Sequence, residues 1–423
     1  LAQGNSPATR VIGQYEFQYR APNLLDEHGM NYPTGVAVDR RSDPPRLYVA
    51  DRNNHRVLGY ADARRLQPNA PADLVLGQAN FLSAIPNFPS GNADLPTETG
   101  LVLPSAVAVD NDGNLWVADT GNGRVLRFPR PFDRVGQQQR PDIVIGQAEF
   151  NLKIQDATRS TMSAPVGLAF TNEGHLLVSD AQHNRVLYFD KNQLTNGAAA
   201  QKVFGQGDFF SSASGDERNR MNSPRHIAVD IDDRLYVADS GNNRVLLFDR
   251  VPASPEANVD SAVSLENTTT TTRLRAPVGV AVYRDTGEIW VTDANNRLFR
   301  YASFLQLLTN PNAFAETSLA AVGPISASFD TFGNLLVGEG TNRVAIYYQA
   351  SKLVNGANFG RARANDVGPG QRVVPGMIAS LFRLGQPFTS QTVSFDSLPN
   401  PVPLPRVLAD TQVLLNNEPV PLY

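Results

Sequence analysis

Residues 236–248 read YVADSGNNRVLLF, two short apolar segments joined by a polar turn, with Asp239 before the turn and Arg244 after it. Close variants of this phrase occur five more times, as LYVADRNNHRVLGY (47–60), LWVADTGNGRVLRF (115–128), LLVSDAQHNRVLYF (176–189), IWVTDANNRLFRY (289–301) and LLVGEGTNRVAIYY (335–348). Six copies of one phrase predict a single repeat architecture rather than several independent domains.

Each copy is accompanied by two further strand-like phrases. One precedes it and is opened by proline: PTGVAVD (33–39), PSAVAVD (104–110), PVGLAF (165–170), PRHIAVD (224–230), PVGVAV (277–282) and PISASFD (324–330). The other follows most copies, as in LVLGQANF (74–81), IVIGQAEF (143–150) and KVFGQGDF (202–209). Four short strands per unit, separated by turn residues, are typical of a propeller blade, so the sequence predicts an all-β, six-bladed β-propeller over residues 1–350.

The phrase VIGQYEF (11–17) belongs to the third type but stands before the first copy. We expect it to be the outer strand of the sixth blade, beside residues 343–348. This pairing closes the ring and removes an open sheet edge.

The PTGVAVD…LYVADRNNHRVL and PRHIAVD…LYVADSGNNRVLLF phrases resemble the NHL repeat, and the GQ phrase resembles its secreted bacterial forms. The resemblance implies a six-bladed propeller. It does not imply one function, because NHL propellers include protein-binding and RNA-binding modules, receptor sensor domains and a few lyases or hydrolases of related shape.

Composition restricts the classes of function. The chain has 423 residues, a net charge of −4 and no cysteine, which excludes disulfides, thiolate metal sites and a cysteine nucleophile. There is no basic surface pattern for nucleic acid and no apolar run of membrane-spanning length. The opening LAQGNSPATR is compatible with a mature exported chain whose signal peptide has been removed, so we expect an extracellular or cell-surface location.

An acidic residue and an arginine frame the turn in every copy. The pairs are Asp51 and Arg56, Asp119 and Arg124, Asp180 and Arg185, Asp239 and Arg244, Asp293 and Arg297, and Glu339 and Arg343. A catalytic group occurs once in a fold, so a pair in every blade favours a structural role. We expect the carboxylate to cap the following turn and the arginine to bind that carboxylate or a neighbouring blade. The alternative is a ring of carboxylates that holds calcium.

The five histidines are His28, His55, His175, His183 and His226. A zinc enzyme on a propeller needs about three imidazoles that converge. Only His226, at the start of an inner strand, is expected to face the central channel. The sequence contains no GxSxG, HExxH or phosphate-loop motif, so we assign no catalytic residue, metal ligand or cofactor.

Two further features lie outside this pattern. NTTTTT (267–272) contains a glycosylation sequon at Asn267, although a plain polar loop between blades is the favoured interpretation. After residue 350 the sequence predicts a linker (351–371) and then, in 372–423, strands that resemble the opening of an Ig-like domain appended to secreted NHL proteins. About 50 residues are too few for a closed sandwich. The chain therefore continues beyond Tyr423, or these strands dock on the propeller, or another copy supplies the missing strand.

Together these features favour a non-enzymatic exported interaction module whose partners are proteins, including other copies of itself in a filament or surface assembly. The alternative is a ligand-binding, hydrolase or lyase propeller that uses the central channel.

Overall fold

The computed structural model describes residues 8–21, 25–136, 138–266, 273–310 and 317–347, and five short strands between residues 352 and 420. The chain divides into two compact units, one of residues 2–347 and the other of residue 1 with residues 348–423.

The first unit contains six four-stranded antiparallel sheets. Blade 1 consists of β2 (Pro33–Asp39), β3 (Arg46–Asp51), β4 (Arg56–Tyr60) and β5 (Leu74–Leu76). Blade 2 consists of β6 (Ala106–Val109), β7 (Leu115–Asp119), β8 (Arg124–Phe128) and β9 (Ile143–Ile145). Blade 3 consists of β10 (Pro165–Phe170), β11 (Leu176–Asp180), β12 (Arg185–Phe189) and β13 (Lys202–Phe204). Blades 4 and 5 consist of β14 (Pro224–Val229), β15 (Leu235–Asp239), β16 (Arg244–Phe248) and β17 (Val263–Leu265), and of β18 (Pro277–Val282), β19 (Ile289–Asp293), β20 (Arg297–Tyr301) and β21 (Thr317–Ala320).

Blade 6 combines the two ends of the first unit. It contains β22 (Pro324–Phe329), β23 (Leu335–Glu339), β24 (Arg343–Tyr347) and, as its outer strand, β1 (Arg10–Ile12). β1 pairs antiparallel with β24, so that Ile12 lies opposite Val344. The predicted closing strand of residues 11–17 is therefore too long. The strand ends at Ile12, and the next residue, Gly13, has a φ of +87° that is incompatible with a continuing strand.

The inner strands of neighbouring blades contact one another around the ring, and β22 contacts β2 to complete it. The apolar core lies between blades, because both faces of each sheet pack against a neighbouring sheet. This explains why the second strand of every blade is mostly apolar and buried up to the acidic residue at its end, as in β7 with Leu115, Trp116 and Val117.

The ring has two faces, which we name by what they carry. The pair face carries the Asp–Arg turns between the second and third strands of each blade, and the inner strands begin there. The turn face carries the turns that follow the inner strands, such as residues 40–45, 111–114 and 231–234. The described residues contain one α-helix, α1 (Phe304–Thr309), between β20 and β21, and eight short 3₁₀ helices.

The second unit is described by its backbone pairing alone. β25 (Lys352–Asn355) pairs with β26 (Ala379–Phe382), while β27 (Val407–Leu408), β28 (Thr411–Leu415) and β29 (Glu418–Val420) form a three-stranded sheet. β25 lies within residues 351–371, the segment expected from the sequence to be a linker. Asn267 lies outside the described residues.

Candidate functional site

The acid–arginine pairs lie at the hairpin between the second and third strands of each blade, where the two residues occupy opposite positions in the ladder. The nitrogen–oxygen distances are 2.7 Å for Arg56–Asp51, 3.1 Å for Arg185–Asp180, 2.7 Å for Arg124–Asp119 and for Arg244–Asp239, and 2.5 Å for Arg343–Glu339. In blade 5, Asp293 lies opposite Arg297, whose Nη2 donates to the carbonyl of Arg273 at 2.8 Å.

The carboxylates of blades 1, 2 and 4 each accept a backbone N–H of the chain that enters the blade and a side-chain amide N–H of the turn that follows. Asp119 Oδ1 accepts the backbone N–H of Val102 at 2.7 Å, and Asp239 Oδ1 accepts that of Asn222 at 2.7 Å. Asp51, Asp119, Asp180 and Asp239 accept no capping bond from a backbone N–H of their own turns, so the predicted cap is wrong for them. In blade 5 Asp293 does accept the N–H of Asn295 at 2.9 Å, in the turn that follows it.

The arginines complete the connection through backbone carbonyls on both sides of the blade. Arg124 Nη2 donates to Thr97 and Gly100, each at 2.9 Å, in the segment that enters blade 2, and Nη1 donates to Phe150 in the segment that leaves it. In blades 1, 2, 3 and 6 the pair therefore joins the incoming chain, its own hairpin and the outgoing chain on one face.

Burial and hydrogen bonding act in opposite directions on these carboxyl groups. Burial raises the pKa of Asp51 and of Asp239, and the hydrogen bonds and arginine charge offset only part of that effect. Asp180 differs. Burial opposes its ionisation, but the imidazole of His183, 2.6 Å away, and the charge of Arg185 hold its pKa below the usual range. His183 occupies the position of Asn54, Asn122 and Asn242 in blades 1, 2 and 4.

A second repeated contact was not predicted from the sequence. The glutamine of each GQ phrase donates through Nε2 to the carbonyl that closes the hairpin turn: Gln78 to His55 at 2.9 Å, Gln147 to Gly123 at 3.1 Å, Gln206 to Asn184 at 3.0 Å and Gln14 to Asn342 at 3.1 Å. The recurrence of Gln after Gly in these phrases could have indicated this contact, because pairing of an outer strand does not by itself require a glutamine at a fixed position.

The histidines lie apart from one another in different surroundings. His28 lies 3.9 Å from Asp26, His175 stacks on Tyr188 with ring centres 5.1 Å apart, and His55 Nδ1 accepts the N–H of Leu103 at 3.1 Å. In the part of the chain that the structure describes, no three His, Asp or Glu side chains group closely enough to hold a metal ion. The six acidic residues of the pairs sit one per blade.

The central channel forms a cavity of about 400 Å³ lined by all six inner strands. Its wall consists mostly of small and apolar side chains, and its polar groups are His226, Ser326, Ser328, Asn111 and charged residues at the turn face. His226 therefore lines the channel at the position expected from the sequence. The volume is in the range of small-molecule sites, roughly 300–1,000 Å³.

His226 makes the fold sensitive to acid. Burial, together with the neighbouring charge of Arg225, lowers the pKa of His226 to about 4, whereas an unfolded histidine titrates at about 6.5. As the pH falls between these values the unfolded chain binds the proton first, so stability falls. Between pH 7 and pH 4.5 we expect the unfolding free energy of His226→Gln to fall by about 2–3 kcal/mol less than that of the wild type.

Urea unfolding at both pH values measures this loss, with His28→Gln as the control for removal of a histidine near the surface. The expected result is a smaller difference between the two pH values for His226→Gln than for the wild type or His28→Gln. Equal losses in all three proteins would show that His226 titrates normally.

Comparison with known proteins identifies the repeat. A family model described as "NHL repeat" matches residues 30–60, 101–128 and 221–248, which lie in blades 1, 2 and 4. The chain therefore carries NHL repeats within a six-bladed β-propeller, an architecture that supports an interaction or binding module.

Curated relatives match only part of the chain. Teneurin-1 of Mus musculus is 26% identical over 241 residues, which is 52% of this chain and 8% of teneurin-1. Protein SUPPRESSOR OF QUENCHING 1, chloroplastic, of Arabidopsis thaliana is 25% identical over 161 residues, 38% of this chain and 14% of that protein. The matched region thus spans a small fraction of each relative's length.

Solved structures with a similar shape include enzymes. A streptogramin B lyase is 12% identical with a TM-score of 0.42, covering 77% of this chain and 94% of the lyase. A gluconolactonase from Xanthomonas campestris is 15% identical with a TM-score of 0.48, covering 81% and 99%. At these values neither structure carries an argument about the chemistry of this chain. Among the described residues, no helix has both the length and the apolarity that crossing a bilayer requires.

Proposed function

We propose that this protein is a non-enzymatic interaction module of the secreted bacterial type, which assembles with other copies of itself outside the cell. One observation carries the proposal. Large apolar side chains are exposed in equivalent loops of four consecutive blades on the pair face, and we call this surface the apolar arc: Tyr15, Phe17, Tyr19, Leu82, Ile85, Ile154 and Phe210.

The equivalence of these loops follows from their contacts. The carbonyls of Phe17, Phe81, Phe150 and Phe209 accept hydrogen bonds from the arginines of blades 6, 1, 2 and 3. The GQ glutamines fix the same loops to the hairpins. Side chains such as Leu82 and Phe210, 70% and 68% exposed, therefore project from a backbone that is held in place.

Exposed apolar side chains that occur singly need no explanation, but a set repeated around one rim favours a protein partner. A held backbone lowers the entropy cost of binding, because little ordering remains to be done.

We propose that the partner is a second copy of the same chain. In the second unit, β27 and β29 each pair with β28 and have no other partner among the described strands. We propose that these strands belong to an Ig-like sandwich that accepts a strand from another copy. Such a contact is head-to-tail, and it propagates into a filament when its rotation does not close.

We expect the purified chain to sediment as increasingly large species from micromolar to millimolar concentration, and to form ordered fibres in electron micrographs. Leu82→Ser combined with Phe210→Ser should shift sedimentation to the monomer. The control pair, Ile231→Ser with Leu305→Ser, removes exposed apolar side chains from the turn face and should leave assembly unchanged.

Two results would contradict the proposal. One is a wild-type protein that remains a monodisperse monomer over the whole concentration range. The other is an equal loss of assembly in the control pair, which would show a general response to surface polarity.

The alternative function is a ligand-binding, hydrolase or lyase propeller, and the central cavity with His226 is the observation that favours it. Hydrolysis of a lactone or ester by the purified protein, abolished by His226→Ala, would support this alternative over the interaction module.

A further inference from the structure

We propose that the turn-face mouth of the central channel binds a small organic anion through Arg40, Arg41 and Arg284. This site is independent of the apolar arc, which lies on the opposite face.

Two cavities meet at this mouth. The central channel of about 400 Å³ and a neighbouring cavity of about 350 Å³ share Arg40 and Arg284 in their linings. Arg41 lines the channel as well. Arg40 and Arg41 follow the inner strand of blade 1, and Arg284 follows that of blade 5, so two turns place three guanidinium groups around one opening.

Arg40 is held in position by a neutral partner. Its Nε and Nη2 donate to the carbonyl of Phe329 at 3.0 and 2.6 Å, across the boundary between blades 1 and 6. Its Nη1 makes no bond among the described residues. A guanidinium fixed by a carbonyl keeps its full positive charge, and its remaining donors are already oriented.

Arg41 and Arg284 have no side-chain hydrogen bond or ion pair to any residue that the structure describes. Arg284 also lies close enough to Arg40 for their charges to repel. Desolvation lowers the pKa of Arg40 most, the charge of Asp330 raises it, and the charge of Arg284 lowers it. Neighbouring guanidinium groups without a shared anion are unfavourable, and a bound oxyanion relieves this repulsion while accepting bidentate bonds.

Acidic side chains are present at the mouth, but each is bonded to its own turn or strand. The contacts are Asp39 Oδ1 with Arg41 N (3.0 Å), Asp110 Oδ2 with Trp116 Nε1 (2.8 Å), Asp230 Oδ2 with Tyr236 Oη (2.7 Å), Asp232 Oδ2 with Arg234 Nη1 (2.6 Å), Asp285 Oδ2 with Tyr283 Oη (3.1 Å) and Asp330 Oδ2 with Asn334 Nδ2 (2.6 Å). None of these bonds goes to the guanidinium of Arg40, Arg41 or Arg284. The carboxylates reduce the positive potential at the mouth without occupying its donors.

The adjoining cavity suits the uncharged part of such a ligand. Thr286 and Ser303 provide hydroxyl groups there, and Phe304 and Leu305 provide apolar surface. A compact anion with hydroxyl groups, of the size of a sugar acid, matches both the guanidinium groups and this lining. Pockets of this volume are typical of small-molecule sites.

Isothermal titration calorimetry of the full chain at low ionic strength tests the site, with D-glucuronate, inorganic phosphate and the neutral analogue D-glucose as probes. We expect heat from glucuronate and none from glucose. Binding of phosphate as well would show that the oxyanion alone is sufficient. Arg284→Gln should weaken anion binding at least about tenfold, the effect of losing one charge-assisted hydrogen bond.

Arg225→Gln is the matched control, because Arg225 is an exposed arginine at the pair-face end of inner strand β14 and should not affect binding. The proposal is overturned if neither anion binds, if glucose binds as well as glucuronate, or if Arg225→Gln weakens binding as much as Arg284→Gln. Circular dichroism of each variant separates a lost site from a lost fold.

Discussion

Replacement of Arg124 by methionine is expected to reduce the free energy of unfolding by about 3–5 kcal/mol, because it leaves a buried charge without its partner. Asp119 and Arg124 are both fully buried, with side chains 0% exposed. The substitution keeps most of the side-chain volume. It removes the bond to Asp119 and the bonds to the carbonyls of Phe150, Thr97 and Gly100.

Arg127→Met is the matched control on the same strand. Arg127 pairs with Asp142 at 2.8 Å, but the two side chains are 27% and 42% exposed, and such surface pairs contribute about 0–1 kcal/mol. Guanidinium-induced unfolding followed by the fluorescence of Trp116 and Trp290 measures both variants. Equal midpoints for the two would mean that the buried pair does not stabilise the blade.

The second large effect is expected from Gly146→Ala. Gly146 has φ +84°, and an added Cβ would lie 2.3 Å from Met162 Cε and 3.0 Å from the carbonyl oxygen of Gly123. That carbonyl is the one that Gln147 binds. The left-handed backbone costs about 1–2 kcal/mol and overpacking about 1–3 kcal/mol, so we expect a total loss of about 2–5 kcal/mol.

Gly136→Ala separates these two costs. Gly136 has nearly the same φ, +82°, but nothing lies within 4 Å of an added Cβ. The Gly136→Ala variant should therefore lose only the unfolding free energy that the left-handed backbone costs, about 1–2 kcal/mol. Chemical denaturation of both variants gives the difference, and losses of equal size would contradict a steric role for Met162. The double variant Gly146→Ala, Met162→Ala should lose less than the sum of the two single changes.

The fold was predictable because its determinants are local and repeated. Continuous apolar strands such as LWVAD, the Asp–Arg spacing and the proline that opens most inner strands recur in six copies, and each copy supports the others. The out-of-place VIGQYEF phrase was sufficient to predict which strand closes the ring. Its length was wrong because Gly13 takes φ +87°, which ends the strand, and an added Cβ there would lie only 2.8 Å from Met30 Sδ in the incoming segment.

The sites were less predictable because they depend on contacts between distant segments. Asp119 accepts the backbone N–H of Val102, and the whole inner strand of blade 2 lies between these two residues in the sequence. Nothing in the intervening sequence indicates this hydrogen bond. The channel mouth formed by Arg40 and Arg284 is even harder to predict from the sequence. These residues stand in ordinary polar turns of blades 1 and 5, and only the closure of the ring brings them to the same opening.

The pairing of β1 with β24 determines when this protein completes folding. Val344 follows Ile12 by 332 positions, so the sheet of blade 6 cannot form until a ribosome has made nearly the whole propeller. At about 5–20 residues per second, that interval lasts on the order of tens of seconds. Closing a loop of this length costs about 3 kcal/mol more entropy than joining strands some 15 residues apart. The earlier blades can form in order as the chain emerges, while the first strand is without its partner until the end. Chaperone demand during synthesis is therefore expected to concentrate on the N-terminal segment.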